Sequence, residues 1–264
     1  ETIYLKDDKY KGYLQPFQQN WTLCLGAGIC KGILPDWKGL TLRIINRCFS
    51  ECFSEQEFET ALKEVSFPLE AWLQGAFNNH RKIGGTIDTY NKILEEELYK
   101  DILELAKKDS MDDKVKKIFE HSSQLKKKEL LAICNFFETH YSHTTLMQLV
   151  NVLTLNEDTH KLPNSIITFN GDSLLHSLLL IFSVREGYRA SGKFVNGVEK
   201  YKKITQSFHK FGKGIPIYHI HGSISPQELR IRSNKTGSRA TLVFLENPFT
   251  KIPSSVFIWP QTIF

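Results

Sequence analysis

Three short stretches of this chain carry residue types that could do chemistry: Gly26-Ala27-Gly28, Asn170-Gly171-Asp172 and His221-Gly222-Ser223. Each closes an apolar run. Glycines at 26 and 28 leave the main chain bare, so a phosphate can meet backbone N–H groups with no Cβ in between. Asn170 and Asp172 offer an amide and a carboxylate two residues apart. His221 offers an imidazole that titrates near neutrality. Together they could hold an anionic ligand, steady a developing positive charge and move a proton. Plainer readings stand beside these. A lone Gly-Ala-Gly is a common packing turn, Asn170 and Asp172 could simply cap the helix that follows, and Cys30 reads as a small buried residue. His219 and His221 share a strand face at metal-chelating spacing. No third ligand is evident, so no metal is expected.

The surrounding pattern supplies elements to hold these residues. Apolar, β-branched runs at 21–25, 165–169, 215–220 and 241–245 predict strands. Residues 39–49 fit a helix packed on a sheet. From 54 to 155 the chain reads as helical throughout, with Ser54 and Glu57 in a capping box, Pro68 in a first helical turn and Asp88 as a cap. Two more helices are expected over 130–153, and another from Leu174 to Phe182. Residues 186–214 and 230–239 read as loops, and 1–20 as an arm or short helix. Strands separated by helices predict an α/β fold: a Rossmann-like, doubly wound parallel sheet with a large helical insert at 54–155. In such a sheet ligands bind beyond the carboxyl ends of the strands, where all three motifs fall.

Composition narrows the class. The net charge of +5 over 264 residues is mild and the basic residues are interspersed, so direct nucleic-acid binding is not expected. The five cysteines include no C-x-x-C pair, which argues against a disulfide framework or a four-thiolate zinc site and for reduced thiols in the cytoplasm. No apolar run is long enough to span a bilayer, and the first residues lack a signal-peptide core. A chain opening on Glu1 is expected to be part of a longer one.

The ordered set resembles the sirtuin superfamily. The residues that carry the resemblance are Gly26-Ala27-Gly28-Ile29 with Gly32-Ile33-x-Pro35-Asp36-Trp37, then Thr168-x-Asn170-x-Asp172, then His221-Gly222-Ser223. It looks most like the sirtuin-like domains of bacterial antiphage defence systems, which cleave NAD⁺ and starve an infected cell. The resemblance implies that Gly26, Ala27 and Gly28 lie against the NAD⁺ pyrophosphate, aided by the dipole of the helix after them. Ile29, Pro35, Asp36, Trp37, Thr168, Gly222 and Ser223 would belong to the same NAD⁺ site, with Asp36 and Trp37 in the loop over the nicotinamide ribose. Asn170 would orient the ribose or the attacking water, Asp172 would hold the carboxamide or fix the Asn170 loop, and His221 would be the base. Residues 1–264 would form one NAD-binding domain. The family's late Gly-x-Ser strand is not found before Phe264, so its C-terminal part is expected to be missing. Lacking paired cysteines, the chain is expected to pass ADP-ribose to water rather than deacylate lysine. An NADase needs restraint, which implies a homo-oligomer or a partner from a defence system, such as an ATPase or a phage sensor. The alternatives are a silent NAD⁺- or ADP-ribose-sensing module and a protein deacylase.

Overall fold

The computed structural model describes residues 21–50, 52–120, 125–155, 162–191, 201–204 and 214–220. Within them the chain is a mixed α/β structure, mostly helical, around a small parallel sheet. The strands are β1 (Thr22–Leu25), β2 (Ser165–Thr168), β3 (Tyr201–Ile204) and β4 (Ile215–His219), in the order β1-β2-β4-β3, each neighbour pair parallel. β2 and β4 lie inside the sheet, and Ile166 and Ile217 on them are fully buried. Leu25 lies opposite Thr168, and Thr168 opposite His219. The ladders run one step further: Phe169 N–H donates to Leu25 O at 3.0 Å and Ile220 N–H to Thr168 O at 3.1 Å. Three carboxyl ends are therefore set side by side.

Parallel neighbours need long crossovers. Among the described residues, the one between β1 and β2 carries seven α-helices: α1 (Trp37–Cys48), α2 (Glu55–Val65), α3 (Leu69–Lys82), α4 (Ile87–Lys108), α5 (Asp112–Glu120), α6 (Lys127–Tyr141) and α7 (Thr145–Leu155). Helix α8 (Leu174–Ser191) follows β2. No strand falls among the described residues of 54–155, as the sequence pattern predicts. α1 buries Leu40, Ile44, Ile45 and Cys48 against α3 and α4, and α7 packs on α8. Arg185 of α8 is buried, held by Glu138 of α6 at 2.6 Å and Glu186 at 2.8 Å, with its guanidinium 4.4 Å from the Phe182 ring centre.

Start signals were read well at α2, where Glu57 N–H donates to Ser54 Oγ at 3.2 Å and Ser54 N–H to the Glu57 carboxylate at 2.7 Å. Elsewhere the structure corrects the sequence. Pro68 is the residue before α3, not within its first turn. Thr86 caps α4 through Thr89 N–H, and Asp88 sits inside the helix. Helix α5 falls inside the block expected to be helical, but nothing in the sequence marks it as a separate helix, because its charged residues outnumber the apolar Val115, Ile118 and Phe119. The loop expected at 186–214 holds the end of α8 and all of β3. The adjacent Lys202 and Lys203 break any apolar alternation and so hide that strand in the sequence; β3 lies at the edge of the described sheet. The expectations for 1–20, 221–223, 230–239 and 241–245 lie outside the described residues. Among the described residues no helix is long and apolar enough to cross a membrane.

Candidate functional site

After Leu25 the chain enters one 3₁₀ turn, Ala27–Cys30, closed by Ile29 N–H to Gly26 O and Lys31 N–H to Gly28 O, both 3.2 Å. Neither Gly26 nor Gly28 has a positive φ, and a Cβ added at either would meet nothing within 4 Å. The protein's own packing therefore does not require glycine there. What the two glycines provide is open main chain. The helix expected after the turn, over 39–49, is present as α1 but does not start at the turn itself. Four residues of 3₁₀ structure carry little dipole, and the next α-helix starts only at Trp37, with Asp36 capping it by accepting from Gly39 N–H at 2.7 Å.

β2 delivers the second wall. Asn170 N–H donates to Thr168 Oγ1 at 3.1 Å, which bends the chain as it leaves the strand. Asp172 Oδ1 accepts from Leu174 N–H at 3.0 Å, so Asp172 does cap the start of α8. Asn170 and Asp172 are 6% and 8% exposed. Cys30, 5% exposed, lies between them: its sulfur is 3.6 Å from Asn170 Nδ2 and 3.5 Å from Asp172 Oδ2. Burial first, and then the Asp172 charge and hydrogen bond, hold the Cys30 thiol well above its ordinary range, so it stays protonated near neutrality. Asn170 Oδ1 is buried and has no hydrogen-bond partner among the described residues.

These walls enclose a cavity of about 320 Å³, at the small end of ligand pockets. Ala27, Gly28, Pro35, Asp36, Trp37, Asn170 and Asp172, each expected from sequence, line it together. Gly26, Ile29 and Thr168 flank it without lining it. His221, Gly222 and Ser223 lie outside the described residues. Cys30, Lys31, Leu34, Leu40, Leu98 and Gly171 also line the cavity and were not foreseen in that role. For Leu98 the only signal is its place in the apolar stripe of α4. Its neighbour Tyr99 is fully buried, stacks on Phe119 at 4.0 Å and binds the loop after Asp172: Ser173 N–H donates to Tyr99 Oη at 3.2 Å.

At the end of β4 the buried His219 brings Nδ1 to 3.3 Å from Asn170 O. Its suggested chelating partner, His221, falls outside the described residues, and among the described residues no cluster of three or more His, Cys, Asp or Glu side chains could hold a metal ion.

Fold and site together define an α/β protein with a cavity at the carboxyl edge of its parallel sheet. No protein-family model, curated protein or solved structure matches the chain.

Proposed function

We propose that the cavity binds NAD⁺ and that the protein is an NAD⁺ glycohydrolase of the sirtuin-like antiphage-defence kind, releasing nicotinamide and ADP-ribose. One observation carries the reading. The glycine turn, the Pro35–Trp37 segment and the Asn170–Asp172 loop converge on a single cavity at the strand ends. The two glycines suit a phosphate, since a Cβ at either would project into open space. We read the four described strands as part of a Rossmann-like, doubly wound sheet with residues 54–155 as its helical insert.

The chemistry suits the residues. The bond between ribose and nicotinamide breaks through an oxocarbenium-like transition state, and the departing group becomes neutral, so no strong acid is needed. A carboxylate and an amide dipole near the developing cation stabilise it. Asn170 orients the ribose or the water. Asp172, tied to Cys30 and to the first turn of α8, keeps the loop that carries Asn170 in place. His221 removes the proton from the attacking water, a role worth about 10²–10⁴-fold in rate. We place the protein in the cytoplasm, as a homo-oligomer or with a defence-system partner restraining it.

Nicotinamide release from NAD⁺, measured on the protein alone and with candidate partners, tests this. Asn170→Ala and His221→Ala are each expected to lower the rate by about 10² or more. Cleavage at the wild-type rate in both variants rules the assignment out. The sensing alternative draws on Asp172, whose contacts with Leu174 N–H and the Cys30 thiol serve the fold. Tight NAD⁺ binding without turnover in every assembly state would favour it.

A further inference from the structure

Cys30 and Asp172 are 142 residues apart in sequence and meet at the wall of the cavity. An ionised carboxylate can only accept hydrogen bonds, so the thiol hydrogen has to be given to Asp172. The sulfur is then left with acceptor capacity alone. The Asn170 atom facing it at 3.6 Å must be the amide nitrogen, which gives the side chain a fixed sense. Its Oδ1 is left buried with no partner among the described residues, in a residue that lines the cavity.

We propose that Cys30 is a positioning residue of this site, orienting the Asn170 amide so that Oδ1 is kept as an acceptor for the ligand, while anchoring Asp172 through its thiol hydrogen. The consequence for ligand class is direct. At Asn170 the ligand has to present a donor, a ribose hydroxyl or a carboxamide N–H, and not a phosphate oxygen. At the glycine turn the open backbone suits an acceptor. The site thus asks for an acceptor at one end and a donor at the other, and takes its ligand in one direction. A protonated thiol suits the task, and burial beside Asp172 keeps Cys30 protonated. Sulfur is also a weak partner, which lets the amide adjust as the ligand arrives.

The effect on turnover rests on the NADase reading; the orientation of the amide does not, and the test separates the two. In ¹⁵N-labelled protein the Asn170 side-chain amide is identified by its loss in Asn170→Ala, and its exchange with water is measured. Cys30→Ala is expected to speed that exchange about 10-fold or more, and Cys30→Ser to keep it within about threefold of wild type, since a hydroxyl can give and accept the same two bonds. Unchanged exchange in Cys30→Ala overturns the proposal whether or not the protein cleaves NAD⁺. In the NAD⁺ assay Cys30→Ala should lower kcat about 10-fold with KM within about threefold, and Cys30→Ser should recover most of the loss. The double variant Cys30→Ala/Asn170→Ala should be no slower than Asn170→Ala alone. A multiplied loss would show that Cys30 does not act through Asn170. A wild-type protein that releases no nicotinamide under any condition removes the NADase reading and leaves the exchange measurement to decide on Cys30.

Discussion

Gly28 gives the sharpest single-residue test, because its backbone needs no glycine and the space over it is open. Gly28→Ala should leave thermal stability almost unchanged. If a phosphate lies against the turn, the same change should weaken NAD⁺ binding by about 10-fold, or ~1.4 kcal/mol, measured by calorimetry. Equal affinity in the two proteins would remove the turn from the binding site. The turn, Asn170 and Asp172 were legible in the sequence because small and polar residues at strand ends stand out against apolar runs; Asp36, at the start of α1, came only from the resemblance. Cys30 was read as packing, and by burial it is. Its second role depends on a neighbour far along the chain, and no local pattern encodes that. Leu98 was invisible for the same reason, since a leucine in a helical stripe looks alike whether it faces core or cavity.

Among the elements, α4 links the helical block to the site. Leu98 lines the cavity, and Tyr99 Oη receives the N–H of Ser173, the residue after Asp172. Tyr99→Phe keeps the stacking on Phe119 but strands a buried donor. It should cost about 1–3 kcal/mol in denaturant unfolding, and it should slow nicotinamide release under conditions where the variant is fully folded. Ser54→Ala serves as the comparison. It breaks the capping box of α2 and should cost about 0.5–2 kcal/mol. Ser54 does not line the cavity, so the rate should hold. A Tyr99→Phe protein as active as Ser54→Ala would show that α4 only supports the fold. Helices with a regular apolar stripe and a polar cap were readable. Strand β3 was not, because its two adjacent lysines leave no alternating apolar pattern, and α5 was not readable as a separate helix, because charged residues outnumber its apolar ones.

At the scale of the whole molecule, buried thiols tie stability to pH. Burial pushes the Cys48 thiol up to about 11 from an ordinary 9.0, with Arg47 pulling it back, and Cys30 moves in the same direction. A raised folded pKa means that the fold favours the protonated thiol. This stabilisation is complete below pH 9 and is lost as pH rises through about 11. Melting temperature should therefore fall between pH 9 and 11, and the fall should be shallower in Cys48→Ala. An unchanged slope in that variant would assign the alkaline loss to other groups. The long separation between the two cavity walls has a further effect, on timing. At ribosomal rates of about 5–20 residues per second, the 142 residues from Cys30 to Asp172 take roughly 7–28 s to synthesise. Until β2 emerges and pairs with β1, the glycine turn has no opposing wall. On the proposed reading, a nascent or truncated chain that stops short of β2 holds half a pocket and is expected to release no nicotinamide. Were the protein the NAD⁺-consuming enzyme proposed above, the order of the chain would itself act as a safeguard during translation.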